Sequence, residues 1–184
     1  MRCFLGLCLP DPILDQLDRL QDEIPVGRRV PSENLHITLS FLDDQPDVLL
    51  EALHQALCQF RAPQLRLELR GLRVMGGKSP RVLCAEVTPD ASLSQLHSRL
   101  RSLVQVSGIA LPRARFRPHV TLARFAPRLQ PGQQQRIEQA LLQYGGFTSP
   151  VFAVPEITLF GSTLLPDGAR YEVLAQYPLG TKPS

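Results

Sequence analysis

A four-residue pattern occurs twice in this chain, as His36-Ile37-Thr38-Leu39 and, 83 residues later, as His119-Val120-Thr121-Leu122. Each copy lies in a run that alternates like a β-strand. In a strand, residues i and i+2 face the same side. His36 and Thr38 therefore share one face, with Ile37 and Leu39 on the other, and His119 and Thr121 repeat the arrangement. Each copy offers one imidazole and one hydroxyl, about 6.6 Å apart along the strand. Two such strands facing each other line a cleft that can move two protons and hold an oxyanion without a metal.

The pattern around these copies is also duplicated. Cys3 to Leu9 reads as a strand, and Leu14, Leu17 and Leu20 mark a short amphipathic helix. Arg28 to Glu33 reads as a loop leading into the His36 strand. Leu49, Leu53, Ala56, Leu57 and Phe60 form a helical stripe ended by Pro63. The strictly alternating run Leu65 to Arg70 predicts a half-buried strand, turned at Gly76–Pro80 and returned by Val82–Val87. A helix after Asp90 carries Leu93, Leu96, Leu100 and Leu103, and the second His strand follows Pro118. A further helix runs from near Pro131 to Tyr144, stopped by Gly145-Gly146. Strands at Glu156–Leu164 and Arg170–Leu179, joined by Pro166-Asp167-Gly168, close the chain. This order predicts an α+β fold, residues 1–184 forming one domain of two pseudo-symmetric lobes. Each lobe carries a small, mostly antiparallel sheet flanked by helices, with the His strands lining a central cleft. Ser107–Arg117 is the expected crossing between lobes.

Net charge is only +3, but its distribution is uneven. No acidic residue occurs between Asp90 and Glu138. That stretch holds Arg99, Arg101, Arg113, Arg115, Arg117, Arg124, Arg128 and Arg136, with the second motif inside it. A positive field around a catalytic imidazole suits an anionic substrate. Solvated helix-surface heads are the competing explanation for these arginines. Cys3, Cys8, Cys58 and Cys84 form no Cys-x-x-Cys pair, which predicts reduced thiols in a cytoplasmic protein. The short apolar N-terminus does not read as a signal peptide, and no run is long enough to span a membrane. No membrane partner is expected, and a monomer is favoured.

Other motifs carry less. Gly76-Gly77-Lys78-Ser79 resembles the end of a phosphate loop, but Leu72 stands where the first glycine belongs and a strand follows. It reads as a hairpin turn on which Lys78 and Arg81 remain candidates for touching a phosphate backbone. His54 and His97 fall on helices, with His97 at a boundary between Leu93 and Leu100. No His/Cys ligand set predicts a metal, and no cofactor is expected. No Gly-x-Ser-x-Gly elbow points to a serine hydrolase.

The paired His-x-Thr motifs resemble those of the two-histidine phosphoesterase superfamily. Within it, the flanks are similar to the RNA 2′,3′-cyclic phosphodiesterases, historically called 2′-5′ RNA ligases. The similar segments are Cys3–Pro10, Val30–Leu42, Arg117–Arg124, Ile157–Ser162 and the late Arg170-Tyr171. The family usually has Gly after the Phe-Leu of the first motif, where this chain has Asp43. The resemblance implies hydrolysis of a 2′,3′-cyclic phosphate at an RNA end, or of a cyclic nucleotide, to a 2′-phosphate. The reverse reaction would be 2′-5′ ligation. It assigns His36 as proton donor and His119 as proton acceptor, roles that the residues alone leave open. Thr38 and Thr121 would bind phosphate. Arg124, which the family often carries, is the weaker phosphate candidate, because strand parity points it away from His119. Phe41 shares parity with Ile37 and Leu39, so it could pack in the core or stack on a base. Two alternatives stand beside this reading. One is a phosphodiesterase for small cyclic nucleotides or 2′-5′ oligoadenylates; the other is a non-catalytic nucleotide- or RNA-binding module.

Overall fold

A computed structural model describes residues 1–77, 79–113, 115–166 and 168–180. Lys78, Asp167 and the last four residues lie outside the described residues, so the expectation for Lys78 stays a sequence reading. The strands are β1 (Arg2–Cys8), β2 (Arg28–Arg29), β3 (His36–Asp44), β4 (Leu65–Leu67), β5 (Leu69–Met75), β6 (Val82–Val87), β7 (His119–Arg124), β8 (Phe152–Val154), β9 (Glu156–Leu165) and β10 (Gly168–Pro178). The helices are α1 (Asp11–Glu23), α2 (Asp47–Gln59), α3 (Ala91–Val106) and α4 (Gln133–Tyr144).

The helices form where apolar residues recur at helical spacing. Ile13, Leu17 and Leu20 bury one stripe of α1, and Leu93, Leu96, Leu100 and Val104 one stripe of α3. Asp90 caps α3, accepting from the Leu93 N–H at 2.7 Å. Leu17, Leu53, Leu100 and Val104 are at most 1% exposed. Truncating any of the three leucines to alanine should cost about 2–5 kcal/mol.

The strands assemble differently from two separate lobes. One continuous antiparallel sheet runs β10-β9-β1-β3-β7-β6-β5, with β2 added beside β7. The halves meet at its centre, where Ile37 of β3 pairs with Val120 of β7. The chain repeats a strand-helix-strand-helix-strand unit, β1-α1-β3-α2-β5 and then β6-α3-β7-α4-β9. Each unit gives its last strand to the other half: β5 joins β6 and β7, while β9 joins β1 and β3. The helices follow the same exchange, α1 packing on β7 and α3 on β3. Ser107–Arg117 does lead from α3, beside β3, to β7, but it is one crossing among several. A small second sheet, β4 with β8, pairs equivalent segments of the two units. β8 and the break at Glu68 between β4 and β5 are absent from the sequence reading, because three-residue strands carry almost no periodic signal. Among the described residues, no helix is long and apolar enough to cross a membrane.

Candidate active site at the seam of the sheet

The two motifs sit on the central strands, so the sheet brings both histidines to its seam. His36 Nδ1 lies 2.7 Å from the Asn34 carbonyl, and its Nε2 lies 3.0 Å from Thr38 Oγ1. The second copy repeats the first contact, with His119 Nδ1 2.7 Å from the Arg117 carbonyl. A carbonyl can only accept, so each Nδ1 carries a proton and each neutral ring keeps Nε2 as its basic atom. Thr38 then donates to His36 Nε2.

Around His36 the packing is aromatic. Phe4, Tyr171 and Phe160 lie 4.8, 5.3 and 5.8 Å from its ring centre. Gly6 makes room for this cluster, since a Cβ there would meet the Ile37 carbonyl at 3.1 Å and Phe160 at 3.2 Å. This burial drives the His36 pKa down to about 4, and the charges of Arg124 and His119 push the same way. The Asn34 carbonyl opposes them and is outweighed. In the unliganded site His36 is a neutral imidazole at pH 7.

His36, Thr121 and Arg124 line one cleft of about 680 Å³, together with Arg28, Arg170 and Tyr171. His119 and Thr38 flank it at the seam rather than lining it. Arg124 reaches the cleft through a β-bulge. In the β6–β7 pairing, Leu83 faces Ala123 and Cys84 faces Thr121, leaving Leu122 as an extra residue. Leu122 and Ala123 are both buried in succession, and the parity flips, so Arg124 returns to the histidine side. The ideal-strand expectation for Arg124 is thereby overturned. Gln21 braces the bulge: its Nε2 donates to the carbonyls of both Leu122 and Val30, each at 2.8 Å.

The first motif carries the same bulge. Leu5 faces Ser40 and Gly6 faces Thr38, leaving Leu39 extra. Phe41, five residues after His36, is thereby turned out of the core and is 61% exposed. It is the positional equivalent of Arg124, five residues after His119. The core-packing expectation for Phe41 is therefore replaced by a place on the cleft side, 6.0 Å from the Phe4 ring.

The profile of the 2′-5′ RNA ligase superfamily matches residues 9–162. The chain belongs to the 2′-5′ RNA ligase superfamily. It is 30% identical to an RNA 2′,3′-cyclic phosphodiesterase of Escherichia coli K12, over 97% of this chain and 96% of that one. It is 31% identical to an RNA 2′,3′-cyclic phosphodiesterase of Geobacillus stearothermophilus over 85% of this chain, but spans only 49% of that longer relative. The crystal structure of E. coli LigT complexed with 3′-AMP superposes with a TM-score of 0.79 at 28% identity, over 98% of both chains.

Against this superfamily background, the basic stretch of the sequence divides. Only Arg124 of its eight arginines lines the cleft. Arg99 stacks over Phe60 and bonds the Arg61 carbonyl, and Arg101 bonds the carbonyls of Leu111 and Pro112. The other cleft cations come from elsewhere. Arg28 sits on β2, where the sequence predicts a loop, and Arg170 on β10, to which only the family resemblance points. Gly168, at φ 143°, leaves space for the Arg28 guanidinium, which a Cβ there would meet at 3.1 Å. Arg29 also lines the cleft, with its charge paired with Asp18 and Asp22. His97 stacks on Phe116 at 3.8 Å, and His54 bonds Tyr177 at 2.9 Å, so neither joins the site. All four cysteines are free thiols.

Proposed function

We propose that this protein hydrolyses the 2′,3′-cyclic phosphate at RNA ends to a 2′-phosphate, with His36 and His119 as the proton-transfer pair. The arrangement that carries the reading is the meeting of two His-x-Thr-Leu strands at one seam, beside a cleft lined by Arg28, Arg124 and Arg170. The relatives' names supply the substrate class. The whole fold works as one domain, residues 1–184, whose two pseudo-symmetric lobes share the sheet. Its free thiols suit a cytoplasmic setting.

In the forward direction, a water loses its proton to His119 and attacks phosphorus while the P–O3′ bond breaks. His36 protonates the departing 3′-oxygen. Thr38, Thr121 and Arg124 hold the non-bridging oxygens, where charge develops in the transition state. Because His36 is neutral in the free site, its role as donor requires the bound phosphate to lift its pKa. A phosphate anion does this by its own attraction for the imidazolium, which works against the burial, and by offsetting the push of Arg124. The expected 2′-5′ ligation is not the reversal of this hydrolysis: a 5′-hydroxyl takes the place of water and gives its proton to His119, the P–O3′ bond breaks, His36 again protonates the 3′-oxygen, and a 2′-5′ linkage forms.

The test is product analysis on an oligoribonucleotide ending in a 2′,3′-cyclic phosphate. Accumulation of the 2′-phosphate supports the assignment. A 3′-phosphate, or an unchanged end, removes it.

A further inference from the structure

A second hollow, of about 520 Å³, opens off the catalytic cleft and shares Arg28, Arg124 and Tyr171 with it. Its inner walls are apolar and partly aromatic: Phe4, Phe41, Leu164 and Leu165. Phe41, Leu164 and Leu165 are 61%, 65% and 43% exposed, so this wall is open to solvent. Two charged side chains, Arg2 and Asp43, also line it. They lie on neighbouring strands, in the register where Arg2 pairs with Asp44 and Cys3 with Asp43. Asp43 is held at φ 56°, the only described non-glycine residue with positive φ. Aspartate is among the non-glycine residues that tolerate this left-handed backbone best, and here it adds a carboxylate to the lining of the hollow.

We propose that this hollow seats the base of the nucleotide carrying the cyclic phosphate, and that Asp43, with Arg2, selects guanine. The inference rests on the function proposed above. A base needs a flat apolar face to stack on, which Phe41 and its neighbours offer. Arg2 and Asp43, in the same lining, then meet the base edge. A carboxylate presents two acceptors side by side. Guanine alone offers two adjacent N–H donors, at N1 and N2, and places the O6 acceptor beside them for an arginine. Adenine and cytosine set a ring-nitrogen lone pair beside their amino group, which would face the second carboxylate oxygen. Uracil flanks its single N–H with two carbonyls. The pairing of Asp43 with Arg2 therefore fits guanine and repels the other three.

The experiment compares kcat/KM on the 2′,3′-cyclic phosphates of guanosine, adenosine, cytidine and uridine, for the wild-type chain and for Asp43→Asn and Asp43→Gly. Asp43→Gly suits the backbone angle, so a folding defect there is not expected. Affinities for 2′-GMP and 2′-AMP are measured in parallel by calorimetry. The expected result is a guanine preference of about tenfold or more, the low end for a bidentate base contact. Both variants should bring it within about threefold. Equal rates on all four substrates, a preference for another base, or a guanine preference that survives both substitutions would each overturn the proposal. If no cyclic nucleotide is hydrolysed, the catalytic reading fails, and the calorimetry still decides the hollow: equal affinity for 2′-GMP and 2′-AMP rejects it.

Discussion

Arg124 and His36 line the same candidate cleft, and the guanidinium charge bears on the imidazole. Burial among Phe4, Phe160 and Tyr171 is the largest cause of the low His36 pKa, and Arg124 adds to it. The two residues therefore form a reporter of phosphate binding. The His36 ring should titrate near pH 4 in the free protein, read by NMR of its ring carbon-bound protons. Arg124→Ala should raise that midpoint, and saturating 2′-AMP should raise it in the wild type. A midpoint unmoved by both changes would separate the two residues.

The same titration sets a pH dependence of stability. The folded His36 pKa of about 4 lies below the unfolded value of about 6.5. As pH falls through that window, the unfolded chain takes up the proton and the folded chain does not. Stability is therefore lost from about pH 6.5 down to about pH 4, on the order of 3 kcal/mol from this residue. His97, also held low by burial, acts in the same direction, so the comparison is with His36→Gln. Denaturant unfolding between pH 7 and pH 4 should show the wild type losing more stability than the variant. Parallel curves would mean that His36 is not desolvated as described.

Gln21 holds the Leu122 carbonyl at the bulge that turns Arg124 into the cleft. Gln21→Leu should weaken binding of a 2′-phosphate product, by about tenfold for a lost charge-assisted contact. In an Arg124→Ala background the same substitution should add little, because the residue it positions is gone. Additive losses in the two backgrounds, measured by calorimetry, would assign Gln21 to stability alone.

The two histidines and their threonines are legible in the sequence because a period of two states directly which side chains share a face. Arg124 and Phe41 are not, because a bulge is a property of the pairing between strands and leaves only a faint mark within one strand. Two adjacent buried positions, Leu122-Ala123, are its trace, and they read equally well as ordinary alternation followed by a strand end. The duplication of elements is visible along the chain. The exchange of β5 and β9 between halves is a long-range pairing choice that local patterns do not encode. Arg28 escapes because a two-residue strand looks like a loop until β7 is placed beside it.

Thr38 donates to His36 Nε2 at 3.0 Å, and its counterpart Thr121 lines the cleft. Thr38→Val and Thr121→Val keep the strand shape and remove one hydroxyl each. Each should lower kcat on 2′,3′-cyclic nucleotides by about 10–100-fold if the hydroxyl meets developing charge. A change confined to KM would place the hydroxyls in ground-state binding only.

The central claim is that two imidazoles, one from each repeat, divide the proton transfers of a single displacement at phosphorus. The most direct measurement is single-turnover hydrolysis of an RNA end bearing a 2′,3′-cyclic phosphate by the wild type, His36→Ala and His119→Ala. Circular dichroism confirms that each variant is folded. The account predicts that each substitution slows the chemical step by about 10²–10⁴-fold. Removing both should cost little more than removing one, because the pair acts as a unit. A folded variant lacking either histidine that turns over at close to the wild-type rate would contradict it.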